Sequence, residues 1–197
     1  MDAKPLIAPI VETENGYLRR DYALASGISD SRYKTYIKNN NMKRLAAGVY
    51  ADEDVWADEL YLLSAKNSRA VFSHETALYL HGLSDREPRV KTVTVPHGYN
   101  ASHLKRQGVK VVSVIDRFVS LGITEAKTPF GNPVKVYDME RTLCDIIKNK
   151  EKMDIQVFQT ALKEYMARSD KRISVLMFYA GELGIEKKVR LYTEVLL

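Results

Sequence analysis

Residues 20–50 read RDYALASGISDSRYKTYIKNNNMKRLAAGVY, and their reading decides the fold. Residues 21–26 form a short, Ala-rich helical pattern. Gly27-Ile28-Ser29 follows as a tight turn, with glycine where a helix end favours a left-handed residue. Ser29 stands where a side-chain oxygen can cap a second helix over residues 29–39. Tyr33 and Ile37, four apart, share an inward face with Ile28. Ser31, Arg32, Lys34, Thr35 and Lys38 are left on the outer side. Two helices joined by a short Gly-containing turn, the second with a polar and basic outer face, make a helix-turn-helix signature. Asn39-Asn40-Asn41 then mark a turn. Residues 43–46 and 48–51 read as two short strands, the hairpin that would be the wing of a winged helix.

Charge points the same way. Residues 29–48 hold five basic side chains (Arg32, Lys34, Lys38, Lys43, Arg44) and one acid (Asp30), a net of +4, against +5 for all 197 residues. The excess therefore sits where a duplex would lie. The same residues also fit a plain helical hairpin with a solvated basic face, because helix-turn-helix patterns are short.

The remaining composition sets bounds. An apolar content of 45% with 28% charged residues is that of a globular chain with a core. No apolar run approaches the roughly 20 residues that span a bilayer. The opening residues MDAKPLIAPIVETENG do not read as a signal peptide, so a cytoplasmic location and no membrane partner are expected. The single cysteine, Cys144, excludes an intrachain disulfide and a multi-thiolate zinc site.

Taken in order, Leu6, Ile7, Ile10 and Val11 suggest a first helix packed on the helix-turn-helix core, weakened by Pro5 and Pro9. Residues 16–18 read as a short strand paired with the hairpin. After the acidic break Asp52-Glu53-Asp54, residues 55–65 form an amphipathic helix with Trp56, Leu60 and Leu63 on one stripe, Trp56 as a packing anchor. Residues 73–83 form a helix ended by Gly82. Residues 90–95 (VKTVTV), 109–115 (VKVVSVI) and 134–137 are strands, with a polar, basic connection at 97–106. Asp138 caps a helix over 139–148, and three short amphipathic helices follow at 156–166, 173–183 and 186–197. The expected class is α+β. A winged helix-turn-helix occupies residues 1–52. Residues 53–197 carry a small, mainly antiparallel sheet with a C-terminal helical subdomain.

Ser73, His74, Glu75 and His81 invite a catalytic reading, but the two histidines are seven apart and no Gly-x-Ser-x-Gly turn is present. Asp116 with Glu125-Ala126-Lys127 is a faint echo of a metal-dependent nuclease, which needs converging carboxylates. Phosphate-loop, dinucleotide and His-Glu-x-x-His motifs are absent. Asp138-x-Glu140 sits at a helix start, where acids suit the dipole. The expectation is no enzyme, no cofactor and no metal. A nucleic-acid-processing enzyme with a winged-helix module, or a plain transcriptional regulator, remains the alternative.

A series of short segments resembles the AbiEi antitoxin family of type IV toxin–antitoxin and abortive-infection systems. It comprises the helix-turn-helix region ending in Gly48-Val49-Tyr50, then 72–83 (FSHETALYLHGL), 93–96 (VTVP), 136–145 (VYDMERTLCD) and the closing helices. The resemblance implies an N-terminal winged helix on operator DNA and a C-terminal antitoxin domain. It implies repression of the protein's own operon and action against a nucleotidyltransferase-type toxin, without a required stable complex. Arg32, Lys34 and Thr35 would then read the major groove, with Ser31 beside them. Lys38 would hold phosphate, and Lys43 and Arg44 would serve the wing. One departure lies in the wing, where Ala46-Ala47 stand in place of the family's basic residue.

Overall fold

The computed structural model describes residues 7–196, without the side chains of Pro9, Glu12, Thr13, Val195 and Leu196. The expected roles of Pro5 and Leu6 in the first helix, and of Leu196 and Leu197 in the last, lie outside the described residues. Internal contacts define two compact units, Met1–Ser68 with Lys127–Pro133, and Arg69–Ala126 with Val134–Leu197.

The first unit begins with α1 (Ile7–Thr13), β1 (Tyr17–Arg19), α2 (Arg20–Ala25) and α3 (Asp30–Asn39). The hairpin β2 (Lys43–Ala46) and β3 (Val49–Ala51) follows, then α4 (Glu59–Lys66). The strands form a sheet in the order β1-β3-β2, antiparallel throughout. One extra residue, Leu45, separates Arg44 (opposite Tyr50) from Ala46 (opposite Val49), a bulge.

Local chemistry sets the helix ends. At α2 the Gly27 and Ile28 amides donate to Leu24 and Ala23 carbonyls, 3.0 Å each, with Gly27 at φ +82°. This is the two-bond helix stop that needs a left-handed residue, and Ile28 and Ala23 meet in the core beneath it. Asn41, at φ +51°, ends α3 in the same way. Ile7 and Val11 of α1 pack with Leu18, Ala23, Ile28, Tyr33 and Met42 in one apolar cluster.

The helix expected over 55–65 starts later. Asp58 caps it, its Oδ1 accepting from the Tyr61 amide at 3.0 Å, so α4 begins at Glu59. Leu60 and Leu63 are buried as expected. Trp56 falls outside the helix, off their stripe, and is 81% exposed, so it is not a packing anchor. Asp58 is itself buried and accepts from Thr128 Oγ1 (2.5 Å) and Asn132 Nδ2 (2.8 Å), which brings residues 127–133 into this unit.

The second unit contains β4 (Val71–Phe72), α5 (His74–Leu80), β5 (Thr92–Pro96), α6 (Ser102–Arg106), β6 (Lys110–Val114) and α7 (Asp116–Val119). Next come β7 (Ile123–Lys127), β8 (Pro133–Tyr137), α8 (Met139–Lys148), α9 (Ile155–Ala167), α10 (Ile173–Glu182) and α11 (Glu186–Leu196). The sheet order is β6-β5-β4-β8-β7. β4 runs antiparallel to β5 but parallel to β8, and β5 runs parallel to β6. The sheet is therefore mixed, not mainly antiparallel. The reason lies in the connections. The segment between β5 and β6, expected as a loop, carries α6 with Leu104 buried beneath it, and such a crossover returns the chain in the same direction. Apolar faces of α5 and α8–α11 make the main core, including Leu143, Ile146, Phe158, Leu176 and Val189.

Candidate nucleic-acid interface

The polar face singled out by sequence belongs to α3. Ser29 caps this helix, its Oγ accepting from the Arg32 amide at 3.4 Å. That hydroxyl also lies 3.2 Å from Ser31 Oγ, so the two serines share one hydrogen bond. Tyr33 points inward, 3% exposed, and burial pushes its phenol up to about 12.

The outer residues divide by their ion pairs. Asp30 receives Arg20 Nε at 2.8 Å and Lys34 Nζ at 2.7 Å. The Lys34 ammonium, then the Arg20 guanidinium, hold the Asp30 carboxyl below its ordinary value. Lys34 is therefore engaged on the helix itself. Arg32 is half-buried and has no ion pair among the described residues. Thr35 and Lys38 are exposed. Ser31, Arg32 and Thr35 line a groove of about 400 Å³ with Ile7 and Ala8 of α1, and with Tyr36, Asn39 and Asn40.

The β2–β3 turn is fixed to this helix. The Gly48 carbonyl accepts from the Tyr33 hydroxyl (3.2 Å) and from the Arg20 amide (2.8 Å). Gly48 is at φ +71°, which glycine adopts without strain. Tyr33 and Tyr50 meet edge to face, 6.1 Å between centroids. Lys43 and Arg44 are exposed on β2. As neighbours on a strand they leave opposite faces of the sheet, so a surface laid against one face meets one of them directly. Arg44 Nε donates to the Ala46 carbonyl at 3.4 Å.

The residues that invited a catalytic reading do not meet in an open site. Ser73 is fully buried, accepts from Thr94 Oγ1 at 2.9 Å and lies 3.1 Å from His74 Nδ1. His74 is buried at φ +51°, with Asn149 Nδ2 3.3 Å from its Nε2. An amide N–H beside Nε2 fits a neutral ring, and burial lowers the His74 pKa. Glu75 pairs with Lys110 at 3.3 Å. His81 Nε2 donates to the Tyr137 carbonyl at 2.6 Å, and burial lowers its pKa as well. Asp116 follows β6 and Glu125 lies on β7, strands at opposite edges of the sheet. Among the described residues no three His, Cys, Asp or Glu side chains could hold a metal ion.

Sequence reading missed a buried polar knot at the start of α8. Glu140, Arg141 and Asp145 are all buried. Arg141 donates to the carbonyls of Phe118 (2.6 Å) and Leu121 (2.9 Å) and to Asp145 Oδ1 (3.1 Å), and covers the Tyr137 ring at 4.4 Å. Asp145 Oδ2 has no partner among the described residues. Glu140 accepts from Tyr165 (3.0 Å) and from Arg172. Burial alone would raise the Glu140 carboxyl, but Arg172 chiefly, with Tyr165 and backbone donors, leaves it below its ordinary value. Arg172 also reaches Asp138 at 3.0 Å. These bonds tie the start of α8 to α7, α9 and the Arg172 backbone before α10.

No helix among the described residues is long and apolar enough to cross a membrane. No protein-family model matches the chain, and no curated protein matches it. Among solved structures, the crystal structure of the RV2827C protein from Mycobacterium tuberculosis matches with a TM-score of 0.45 and 11% identity, over 94% of this chain and 78% of that one. A likeness this weak carries nothing over from that protein.

Proposed function

We propose that the first unit is a winged helix that binds operator DNA, and that the whole chain is a cytoplasmic antitoxin repressing its own operon and countering a nucleotidyltransferase-type toxin. The observation that carries the DNA reading is α3. It is capped by Ser29, presents Arg32 with no ion pair among the described residues, and stands beside a hairpin turn tied to it through Gly48. The element order α1-β1-α2-α3-β2-β3, with the strands arranged β1-β3-β2, supports the same reading. Support for the toxin comes from the resemblance of residues 72–83 and 136–145 to the antitoxin family.

Arg32 is the residue expected to read a base edge, since among the described residues its guanidinium has no ion pair, and arginine pairs bidentately with guanine. Lys38 is assigned to phosphate, and Lys34 is withheld from the duplex while Asp30 holds it. Binding of the full chain to the DNA upstream of its own gene, followed by fluorescence anisotropy, tests the reading. Arg32→Ala should cost roughly 1–3 kcal/mol on that DNA and relax preference at one position. Equal losses on random duplex would reduce Arg32 to a phosphate contact, and no binding at low salt would end the DNA reading. Rescue of growth by co-expression with an adjacent nucleotidyltransferase-like reading frame tests the toxin half.

A further inference from the structure

The second unit carries an apolar groove that neither proposed activity uses. It holds about 500 Å³ and is lined by Ile155, Phe158 and Leu162 of α9 and by Leu191 and Tyr192 of α11, with Lys150 and Lys163 as its charged members. Its floor is ordered. Phe158 and Tyr192 meet edge to face at 5.2 Å, and Lys150 Nζ lies 5.5 Å from both ring centroids. Its rim is open to water, Ile155 being 52% and Leu191 61% exposed. Two exposed aliphatic side chains beside a preformed aromatic floor leave the groove open to an apolar ligand.

Charge selects the occupant. Both charged side chains lining the groove are lysines. One turn back along α11, Lys187 and Lys188 precede Leu191 and Tyr192 by four residues, which places them on the same face. None of these four is in an ion pair among the described residues, whereas Arg190 on the same helix is held by Glu186 at 2.7 Å. Glu194, one turn further on, is the acid of that face. From Ile155 to Leu162 the groove follows α9 for about 10 Å, which is two helical turns. That length fits apolar side chains at positions i, i+3 or i+4, and i+7 of a docked helix. We propose that the α9–α11 groove docks an amphipathic helix of a partner protein whose apolar ridge is flanked by carboxylates. The apolar ridge fills the groove, and the carboxylates meet Lys163 and the lysines of α11. The proposal stands apart from the DNA reading, since it uses no residue of the first unit.

The test uses the full chain and three labelled synthetic helices of about 16 residues. One carries leucines at i, i+4 and i+7 flanked by glutamates, one replaces every glutamate with lysine, and one replaces the leucines with alanine. The acidic leucine peptide should bind with saturating anisotropy, and the other two should bind at least about tenfold more weakly. Leu191→Glu, a change at an exposed position, should weaken the acidic peptide more than about tenfold while leaving the thermal midpoint in place. Lys163→Glu should weaken the acidic peptide and strengthen the lysine peptide. Equal binding of acidic and basic peptides overturns the proposal, as does failure of the acidic peptide to saturate by about 1 mM. Concentration-dependent self-association abolished by Leu191→Glu would assign the groove to a second copy and also overturn it.

Discussion

Replacing Asp30 with Asn probes the start of α3, where one carboxylate restrains two cations, Arg20 and Lys34. Asp30 holds Arg20 at 2.8 Å and Lys34 at 2.7 Å, and both side chains are largely exposed, 51% and 72%. Exposed pairs of this kind contribute little to folding, so the variant keeps its structure. The change should appear in binding. Each cation released onto a phosphate steepens the dependence of log K on log salt by about 0.9. At about 0.1 M salt this corresponds to roughly eightfold tighter binding per new contact, about sixtyfold if both cations engage, fading to nothing near 1 M. Anisotropy with upstream DNA over a salt series reads the slope directly. Asp170→Asn is the control, because it releases Arg168 from an exposed pair at 2.7 Å in the second unit and changes the net charge equally. An unchanged slope for Asp30→Asn, weaker binding, or an equal gain for the control would show that the start of α3 does not face phosphates.

Three further outcomes follow from the second unit and from Trp56. Arg141→Met leaves the Asp145 charge and two carbonyls buried without their donor, and should cost about 3–5 kcal/mol for the charge and about 1–3 for each carbonyl. Adding Asp145→Leu should restore part of this in urea unfolding, and a double variant no more stable than the single one would refute the charge argument. Burial depresses the pKa of His74 and His81 below the ordinary 6.5. The unfolded chain therefore takes up protons that the native chain refuses, and stability is full above pH 6.5 and declines below it. The slope should reach about 1.4 kcal/mol per pH unit for each histidine, and stability that stays level between pH 6.5 and 5.5 would contradict it. Trp56 is the single tryptophan, so native fluorescence should resemble that of free tryptophan and be readily quenched by iodide. A blue-shifted, protected emission would contradict its exposure.

What could be read from the chain was whatever local chemistry decides. Ser29, Gly27 and Asn41 set helix ends through bonds within a few residues, and Asp138 fixes the start of α8 by accepting from the Arg141 amide at 2.8 Å. The polar face of α3 follows from period alone. What escaped depends on partners far along the chain. Glu140 reads as a helix-start acid, yet it is buried because Tyr165 and Arg172 arrive 25 and 32 residues later. Arg172 reads as one more solvated cation for the same reason. The parallel pairing of Phe72 with Val136 joins strands that carry no local mark of their direction. Trp56 lies outside α4 because the cap at Asp58 stops the helix there, where apolar periodicity alone runs on. Within the candidate interface, sequence located the basic residues but not the engagement of Lys34, since an acid at the first helical position looks the same whether or not it is paired.

The bonds from Thr128 and Asn132 to Asp58 bear on the order in which this protein is made. When residue 68 has left the ribosome, the buried carboxylate at the head of α4 still lacks two of its donors. They emerge some sixty residues later, after most strands of the other sheet. The first unit therefore finishes folding only when part of the second has been synthesised, and a gene cut after residue 68 would yield a fragment that never receives its last strut.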